Sequence, residues 1–300
     1  MAGAATARER IGFIGLGVLG SAIAPHLVAD GYSVTGCDID TTRVDALGIA
    51  RADSPRALAA GSDVVILCLP TVEALHEVAS GANGLDKGVR AGQIVVEIST
   101  FPVRDKERAR DRLATVGAIL LDCPVSGNRI HAQRKGLTAF GSGDRDAYYR
   151  VEPILRAFTK KAHYVGEFGF GMKMKLIGNM LNLIHNSAAA EIMVLGMKSG
   201  LDPKVIHEVI SGSASSSSMF EVRGALMARN DYHHEGMNFS IPLKDARIIS
   251  AHAADLACPI PVYQAALQPY YAAVAQGHHD EDAAAVCAAM ELAANHVRST

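Results

Sequence analysis

A glycine-rich turn near the start of the chain has the residue types and the spacing that bind a pyrophosphate. The pattern GxGxxG over residues 15–20 follows an apolar stretch with strand character and precedes a stretch with helical character. The first glycine permits a tight turn, the second lets a phosphate approach the backbone, and the third allows close helix packing. The anion would then meet free amide groups at the helix N-terminus. We therefore predict a dinucleotide-binding turn that consists of Gly15, Leu16, Gly17, Val18, Leu19 and Gly20.

The acidic residue Asp38, at the end of the next predicted strand, indicates which dinucleotide binds. A carboxylate at this position can accept hydrogen bonds from the adenosine ribose hydroxyls, and its charge would repel a 2′-phosphate. Ile39 follows it, and the nearest basic candidate is Arg43, one helical turn further on. The sequence therefore predicts NAD in preference to NADP. In the alternative interpretation, Asp38 or Asp40 only caps the next helix.

Three further segments place polar side chains in apolar surroundings. Residues 97–100 and 122–128 each lie where a predicted strand ends, at the edge where open α/β sheets bind ligands. Residues 169–179 lie at the start of a long helical stretch. There Lys175 and Asn179 are four residues apart and share one helix face, surrounded by methionine, leucine and isoleucine. These segments are therefore candidates for a site that binds and converts a polar ligand away from water.

Short apolar stretches alternate with helical stretches in the first half of the chain. Continuous runs of Val, Ile and Leu, rather than alternating ones, indicate strands that are buried on both faces of a parallel sheet. Ser54 and Pro55 have the order expected at the start of a helix. We therefore predict a doubly wound α/β domain of the Rossmann type over residues 1–165. Its predicted strands are 11–14, 33–37, 63–69, 93–98 and 118–121.

Strand patterns end near residue 166, and helical patterns replace them. Residues 172–198 form a long proline-free stretch that is rich in Leu, Ile, Met and Ala. Further helical stretches follow, interrupted at Pro203, at the serines of 213–218, at Pro242 and at Pro259. We therefore predict an all-helical domain over residues 166–300, which opens on one long helix and serves substrate binding and oligomerisation. Its apolar character predicts a homodimer or homotetramer.

The composition excludes several classes of partner. The chain has 300 residues with 29 basic and 31 acidic side chains, a net charge of -2 that offers no basic field to nucleic acid or to an acidic membrane. No stretch reaches the ~18–20 apolar residues of a membrane helix. Five cysteines occur without a CxxC pair, which predicts reduced thiols and a cytoplasmic location. The first ten residues lack the apolar core of a signal peptide.

Two histidine pairs, His233-His234 and His278-His279, are potential metal ligands. No third ligand accompanies them at a recognisable spacing. We therefore predict solvated loops at both places and no metal site.

Five motifs together resemble those of the β-hydroxyacid dehydrogenases, the family typified by 3-hydroxyisobutyrate dehydrogenase. They occur in the family's order and span nearly the whole chain, which makes the combination far more specific than any single motif. The first is GFIGLGxMG, with Leu19 in place of Met. The others are Ser99-Thr100, the DxPVSGG loop at 122–128, the GxGxxxKxxNN segment at 169–179, and F-x(4)-K-D from Phe239 to Asp245.

The resemblance implies a role for each matched residue. Lys175 would be the catalytic lysine. The substrate carboxylate and hydroxyl would be held by Ser126, Gly127 and Asn179. The implied reaction is the NAD-dependent oxidation of a 3-hydroxy acid to its semialdehyde or keto acid, or the reverse reduction. Beyond the glycine-rich turn, the implied cofactor residues are Leu69, Pro70, Thr100, Phe239 and Lys244.

The chemistry of alcohol oxidation agrees with a lysine in that position. Oxidation removes a hydride from carbon, which the nicotinamide accepts, and a proton from oxygen, which needs a base. A neutral lysine is such a base, and its ammonium form returns the proton in the reverse reaction. Lys173 competes for the role, but it is two residues from Lys175 and therefore points to nearly the opposite side of the helix.

The chain departs from the family pattern at the substrate loop. Asn128 stands where a glycine is usual, and Arg129 and His131 follow where small residues are common. We hypothesise that one of these side chains contacts a substrate that is larger or more anionic than 3-hydroxyisobutyrate. In the alternative interpretation they form a solvated helix face. Gly178 also replaces the first family asparagine, and Glu97 replaces a frequent aspartate.

Two other functions stay open for this fold. Imine or other C=X reductases share it, but those relatives commonly lack the catalytic lysine, so Lys175 counts against them. The second is a non-catalytic cofactor-binding protein with a regulatory role. A missing lysine or a basic extension would favour that function, and the sequence shows neither.

Overall fold

The computed structural model describes residues 8–233 and 238–298. The chain divides into two compact units between Lys175 and Leu176, a position inside a long helix. The domain boundary predicted from the sequence, near residue 166, lies just before that helix.

A parallel sheet of six strands forms the centre of the first unit. The strands are β1 (Arg10–Ile14), β2 (Ser33–Cys37), β3 (Ala50–Arg51), β4 (Val64–Leu67), β5 (Ile94–Glu97) and β6 (Ile119–Asp122). They pair in the order β3-β2-β1-β4-β5-β6, and every pair is parallel. The strand order reverses between β1 and β4, at the kind of switch point where open α/β sheets bind ligands. This topology confirms the predicted doubly wound sheet.

Helices connect the strands of this sheet. They are α1 (Gly20–Ala29), α2 (Thr41–Ala46), α3 (Pro55–Gly61), α4 (Val72–Ser80) and α5 (Val103–Ala114). All residues of β4 and β5 are buried, as the continuous apolar runs predict for strands covered on both faces. At the start of α3, the Ser54 hydroxyl accepts a hydrogen bond from the Ala57 N–H at 3.2 Å, which confirms the predicted cap.

Residues 125–164 add a second, three-stranded sheet that the sequence pattern did not predict. Its strands are β7 (Val125–Ser126), β8 (Leu137–Gly141) and β9 (Thr159–Tyr164), with α6 (Arg129–Gln133) and α7 (Arg145–Arg156) between them. β7 pairs antiparallel with β8, and β8 pairs parallel with β9. Only alternate residues of β8 are fully buried, and β9 exposes Lys160 and Lys161. Neither strand therefore has the continuous apolar run that marks the main sheet.

The described residues of the second unit contain helices and no strand. The long helix α8 (Phe170–Lys198) begins in the first unit. The others are α9 (Pro203–Ile210), α10 (Ala225–Arg229), α11 (Ser240–Asp255), α12 (Pro261–Ala275) and α13 (Val286–Ala293). These elements confirm a helical C-terminal half that opens on a long helix. The predicted break at Pro242 is wrong, because Pro242 lies in the first turn of α11, where a missing N–H costs no intrahelical bond.

Within the described ranges, no helix is both long enough and apolar enough to cross a membrane. The same residues contain no cluster of three side chains that could hold a metal ion. His278 is paired with Glu281 and His279 with Asp280, whereas His234 lies outside the described residues.

Candidate active site

The glycine-rich turn follows β1 directly and is held by backbone contacts. Gly15 adopts a φ of +90°, and its N–H donates to the carbonyl oxygen of Cys37 at 3.0 Å. A Cβ on Gly15 would overlap the carbonyl oxygen of Cys68, and a Cβ on Gly20 would overlap the carbonyl oxygen of Gly15. The first and third glycines are therefore required by the packing of the turn itself.

Gly17 differs from the other two glycines of the turn, because the protein leaves space beside it. The nearest atom to a Cβ on Gly17 would be Nη1 of Arg43, at 3.9 Å. Next to it, Leu19 is the N-cap residue of α1 and makes no side-chain cap. Open space beside a glycine turn at a helix N-terminus suits a pyrophosphate. The turn therefore has the form of the cradle that the sequence predicts.

Asp38 is held against the glycine-rich turn rather than at the start of α2. Its Oδ2 accepts a hydrogen bond from the Leu16 N–H at 2.6 Å, and its Oδ1 accepts one from the Asp40 N–H at 2.9 Å. The N-cap of α2 is Asp40, which accepts from the Thr42 N–H. Guanidinium nitrogens of Arg43 lie 3.5 Å from Asp38 and 3.2 Å from Asp40. The basic residue that the sequence suggested for a 2′-phosphate is therefore paired with two carboxylates.

Leu69 and Pro70 follow β4, next to the loop that follows β5. The Leu69 N–H donates to Oγ of Ser99 at 2.8 Å, and the Ser99 N–H donates to Oε1 of Glu97 at 2.7 Å. Thr100 comes directly after Ser99. This network brings the predicted cofactor residues of two strand ends to the same edge of the sheet.

The predicted substrate loop begins at Ser126, in β7, and turns at Gly127, whose φ is +126°. Asn128 caps the following helix α6. Its Oδ1 accepts a hydrogen bond from the His131 N–H at 3.2 Å and lies 2.6 Å from Nδ1 of the same residue. The Asn128 amide is thus used by the helix, and Arg129 and His131 are exposed. This geometry favours the solvated-face interpretation of these unusual residues.

The two lysines near the start of α8 have different surroundings. Lys175 is buried, with 7% of its surface exposed. Lys173 is only partly buried, and its Nζ lies 4.7 Å from the centre of the Phe170 ring. Their separation follows from the two-residue spacing on a helix. Of the two, only Lys175 has surroundings that keep an amine away from bulk water.

Asn179 and Lys244 contact the same carboxylate in the second unit. Nδ2 of Asn179 donates to Oδ2 of Asp245 at 2.7 Å, and Nζ of Lys244 lies 3.3 Å from Oδ1. The amide nitrogen of Asn179 therefore faces Asp245, and the amide oxygen is directed away from it. Asp245 belongs to the K-D motif, but nothing in the sequence indicates this contact across 66 positions.

Phe239 is a core residue of the second unit. It is almost fully buried, and its ring packs edge-on against Tyr270 with the ring centres 5.6 Å apart. Its place in the cofactor site stays a prediction.

Comparison with known families identifies both halves of the chain. Residues 10–166 match the family model described as the NAD binding domain of 6-phosphogluconate dehydrogenase. Residues 169–290 match the model described as NAD-binding of NADP-dependent 3-hydroxyisobutyrate dehydrogenase. Together with the sheet topology, these matches define an oxidoreductase that uses a nicotinamide cofactor.

Known proteins resemble the chain over nearly its whole length. L-threonate dehydrogenase from Cupriavidus necator is 35% identical over 283 residues, which cover 93% of this chain and 95% of the relative. Mitochondrial 3-hydroxyisobutyrate dehydrogenase from Mus musculus is 31% identical, and the match covers 92% of this chain and 85% of the relative. A solved structure of Mycobacterium tuberculosis 3-hydroxyisobutyrate dehydrogenase with L-serine has a TM-score of 0.85 at 27% identity. The match covers 94% of this chain and 99% of that structure's chain. The chain belongs to the β-hydroxyacid dehydrogenase family, which confirms the resemblance of its five motifs.

Proposed function

We propose that this enzyme oxidises a small 3-hydroxy acid with NAD, or reduces the matching semialdehyde or keto acid. The observation that carries the proposal is the burial of Lys175, one helical turn before Asn179 on α8. A buried lysine beside an oriented amide suits proton transfer to and from a substrate oxygen. The relatives named above act, by their names, on 3-hydroxyisobutyrate and L-threonate, which supports a hydroxy acid as the substrate class.

Each proposed site residue has a defined part in this reaction. A bound nicotinamide would supply the hydride acceptor. The Ser126 hydroxyl and the Gly127 N–H are donors that suit the substrate carboxylate. Asn179, whose amide is oriented by Asp245, lies one helical turn from Lys175 and would orient the substrate there. Lys175 takes the hydroxyl proton as a neutral amine and returns it as an ammonium in the reduction.

The position of Asp38 supports NAD as the cofactor. Its carboxylate lies at the glycine-rich turn and accepts from the Leu16 N–H, where its charge opposes a 2′-phosphate. We expect kcat/KM with NAD to exceed that with NADP by about tenfold or more, equivalent to ~1.4 kcal/mol. Asp38→Asn should narrow this ratio, because the amide keeps an acceptor for Leu16 and removes the charge. A wild-type preference for NADP would contradict the assigned role of Asp38.

The reaction is tested by following NADH formation with a panel of hydroxy acids. The panel includes 3-hydroxyisobutyrate, L-threonate and a hydroxy dicarboxylate, so that it also reports whether a larger or more anionic substrate is preferred. Turnover of cyclic imines with NADPH, and of no hydroxy acid, would favour the imine reductase alternative. Tight NAD binding without turnover of any of these substrates would favour the regulatory alternative.

Location in the cytoplasm stays a prediction.

An exposed apolar stripe on α8 supports a homo-oligomer, a homodimer or homotetramer. Ile177, Leu181 and Leu195 are more than half exposed at helical spacing on this helix. We propose that a second copy of the chain covers them. Light scattering should give a mass of at least two chains, and Leu195→Glu should lower it. Val209→Glu, at an equally exposed apolar position on α9, is the matched control. A monomeric wild type would contradict the proposal.

A further inference from the structure

Three charged side chains form a fully buried cluster behind the carboxyl edge of the main sheet. Lys106, on α5, lies between Glu97 at the end of β5 and Asp122 at the end of β6. Its Nζ is 2.5 Å from Oε2 of Glu97 and 2.7 Å from Oδ1 of Asp122. All three side chains are 0% exposed. We call these residues the buried triad.

Burying these three charged side chains costs free energy that an apolar core does not cost. Removing three charges from water carries a large desolvation penalty, and apolar residues of similar volume often stabilise a protein as well or better. Burial alone would lower the pKa of Lys106, but the carboxylates of Asp122 and Glu97 outweigh that effect and raise it. Lys106 therefore stays a cation that holds both strand ends. Such a cluster calls for a role beyond stability.

The other oxygen of Asp122 contacts the beginning of α8. Oδ2 accepts a hydrogen bond from the Met172 N–H at 2.8 Å. It also lies 3.2 Å from the buried Ser142 hydroxyl, which accepts from the Gly171 N–H at 2.9 Å. The first amide groups of a helix have no intrahelical partner. The triad and Ser142 supply partners for two of them and thus fix where α8 begins.

Close packing at Gly171 removes any freedom left in this contact. A Cβ on Gly171 would overlap the carbonyl oxygen of Phe140 and lie 2.7 Å from that of Asp122. The helix start therefore touches the ends of β6 and β8 directly. Lys175 is four residues after Gly171, one turn further along the same helix face, with a rise of about 6 Å. A shift or rotation of the helix start moves the lysine with it.

We propose that Lys106 is a positioning residue, which holds the start of α8 through Asp122 and thereby sets the position of the catalytic amine of Lys175. The kinetic part of this inference rests on the proposed function. The structural part, the tether between the triad and the helix start, does not.

Lys106→Met tests the kinetic part against a control on the same helix. Arg112, also on α5, pairs with the buried Asp86 at 2.7 Å and does not reach α8. Lys106→Met should lower kcat by about 10- to 100-fold, the scale of a small misplacement of a catalytic group. The dissociation constant of NAD should rise by far less than kcat falls, because the triad does not contact the glycine-rich turn and reaches Leu69 only indirectly, through Ser99. Arg112→Met should leave both constants near wild type, even where it lowers Tm.

Amide hydrogen exchange tests the tether itself. Exchange at Gly171 and Met172 should speed up in Lys106→Met and stay unchanged in Arg112→Met. Ser142→Ala is a milder second variant, since it removes the acceptor of the Gly171 N–H and leaves all three charges in place. Should Lys106→Met not fold, Lys106→Gln replaces it, because it removes the charge and keeps a polar group between the two carboxylates. Unchanged exchange in the folded variants, or a kcat within about twofold of wild type, would overturn the inference. A wild type that turns over no hydroxy acid would instead contradict the proposed function, while the exchange data would still test the tether.

Discussion

Lys175→Met is expected to lower kcat by roughly three orders of magnitude, because general acid/base groups contribute about 10²- to 10⁴-fold. Methionine has nearly the length of the lysine stem and fills the same buried space, so the start of α8 should pack as before. Without an amine, the proton of the substrate hydroxyl has no acceptor at this position. The measurement is kcat for the best hydroxy acid of the panel, alongside the dissociation constant of NAD, which should change little.

Lys173→Met is the matched control for this variant. It makes the same chemical change two residues earlier, at a side chain that is partly exposed and lies over the Phe170 ring. We expect kcat within about threefold of wild type, since the loss is a surface contact of a cation with an aromatic ring. Comparable losses in both variants, or normal turnover in Lys175→Met, would remove the assignment of Lys175 as the acid/base group.

The features that could be predicted from the sequence are those whose signal is local. The main strands are short runs of Val, Ile and Leu. Because they are buried on both faces, apolar residues are not interrupted by polar ones, and the runs are easily recognised. The glycine-rich turn is recognisable because its three glycines stand at a fixed spacing within six residues. Gly15 and Gly20 have no room for a Cβ, and Gly17 leaves open space for a ligand. The spacing of Lys173 and Lys175 likewise predicts that the two lysines lie on different faces of α8, and Lys175 is the buried one.

The features that could not be predicted depend on contacts between distant residues. Strand β9 carries two exposed lysines, so its apolar content is too low to mark it as a strand. Lys106 lies in a helix that is rich in charge. Its spacing to the buried Ala109 and Leu113 places it on the inner face of this helix, but does not show that its partners are Glu97 and Asp122. Asp245 is similar, because its contact with Asn179 exists only once α8 and α11 are packed. Periodicity and motifs carry no information on such pairings.

The structure also bears on the two interpretations of Asp38. The sequence predicts Asp38 as the ribose-binding residue, with a cap of the next helix by Asp38 or Asp40 as the alternative. Asp40 takes the cap, and Asp38 binds the Leu16 N–H of the glycine-rich turn. A residue that already contacts the turn lies near a cofactor bound there, which strengthens the expectation of NAD.

Gly17→Ala is expected to separate cofactor binding from folding. A Cβ at this position meets no protein atom closer than Nη1 of Arg43, at 3.9 Å, so the folded apoprotein should accept it with a Tm within about 2 °C of wild type. The methyl group would occupy the space through which a pyrophosphate approaches the backbone. We expect the dissociation constant of NAD to rise by about tenfold or more, a loss of at least ~1.4 kcal/mol.

Two glycine controls make this result specific to the second glycine of the turn. Gly15→Ala puts a Cβ onto the Cys68 carbonyl oxygen and needs a φ of +90°, so it should lower Tm and reduce the yield of folded protein. Gly61→Ala adds a methyl group in open space near the end of α3 and should change neither property. Calorimetric titration with NAD and thermal unfolding of the three variants measure both effects. An unchanged affinity in Gly17→Ala would mean that the cofactor does not approach the turn at its second glycine, and the assignment of the pyrophosphate site would have to move.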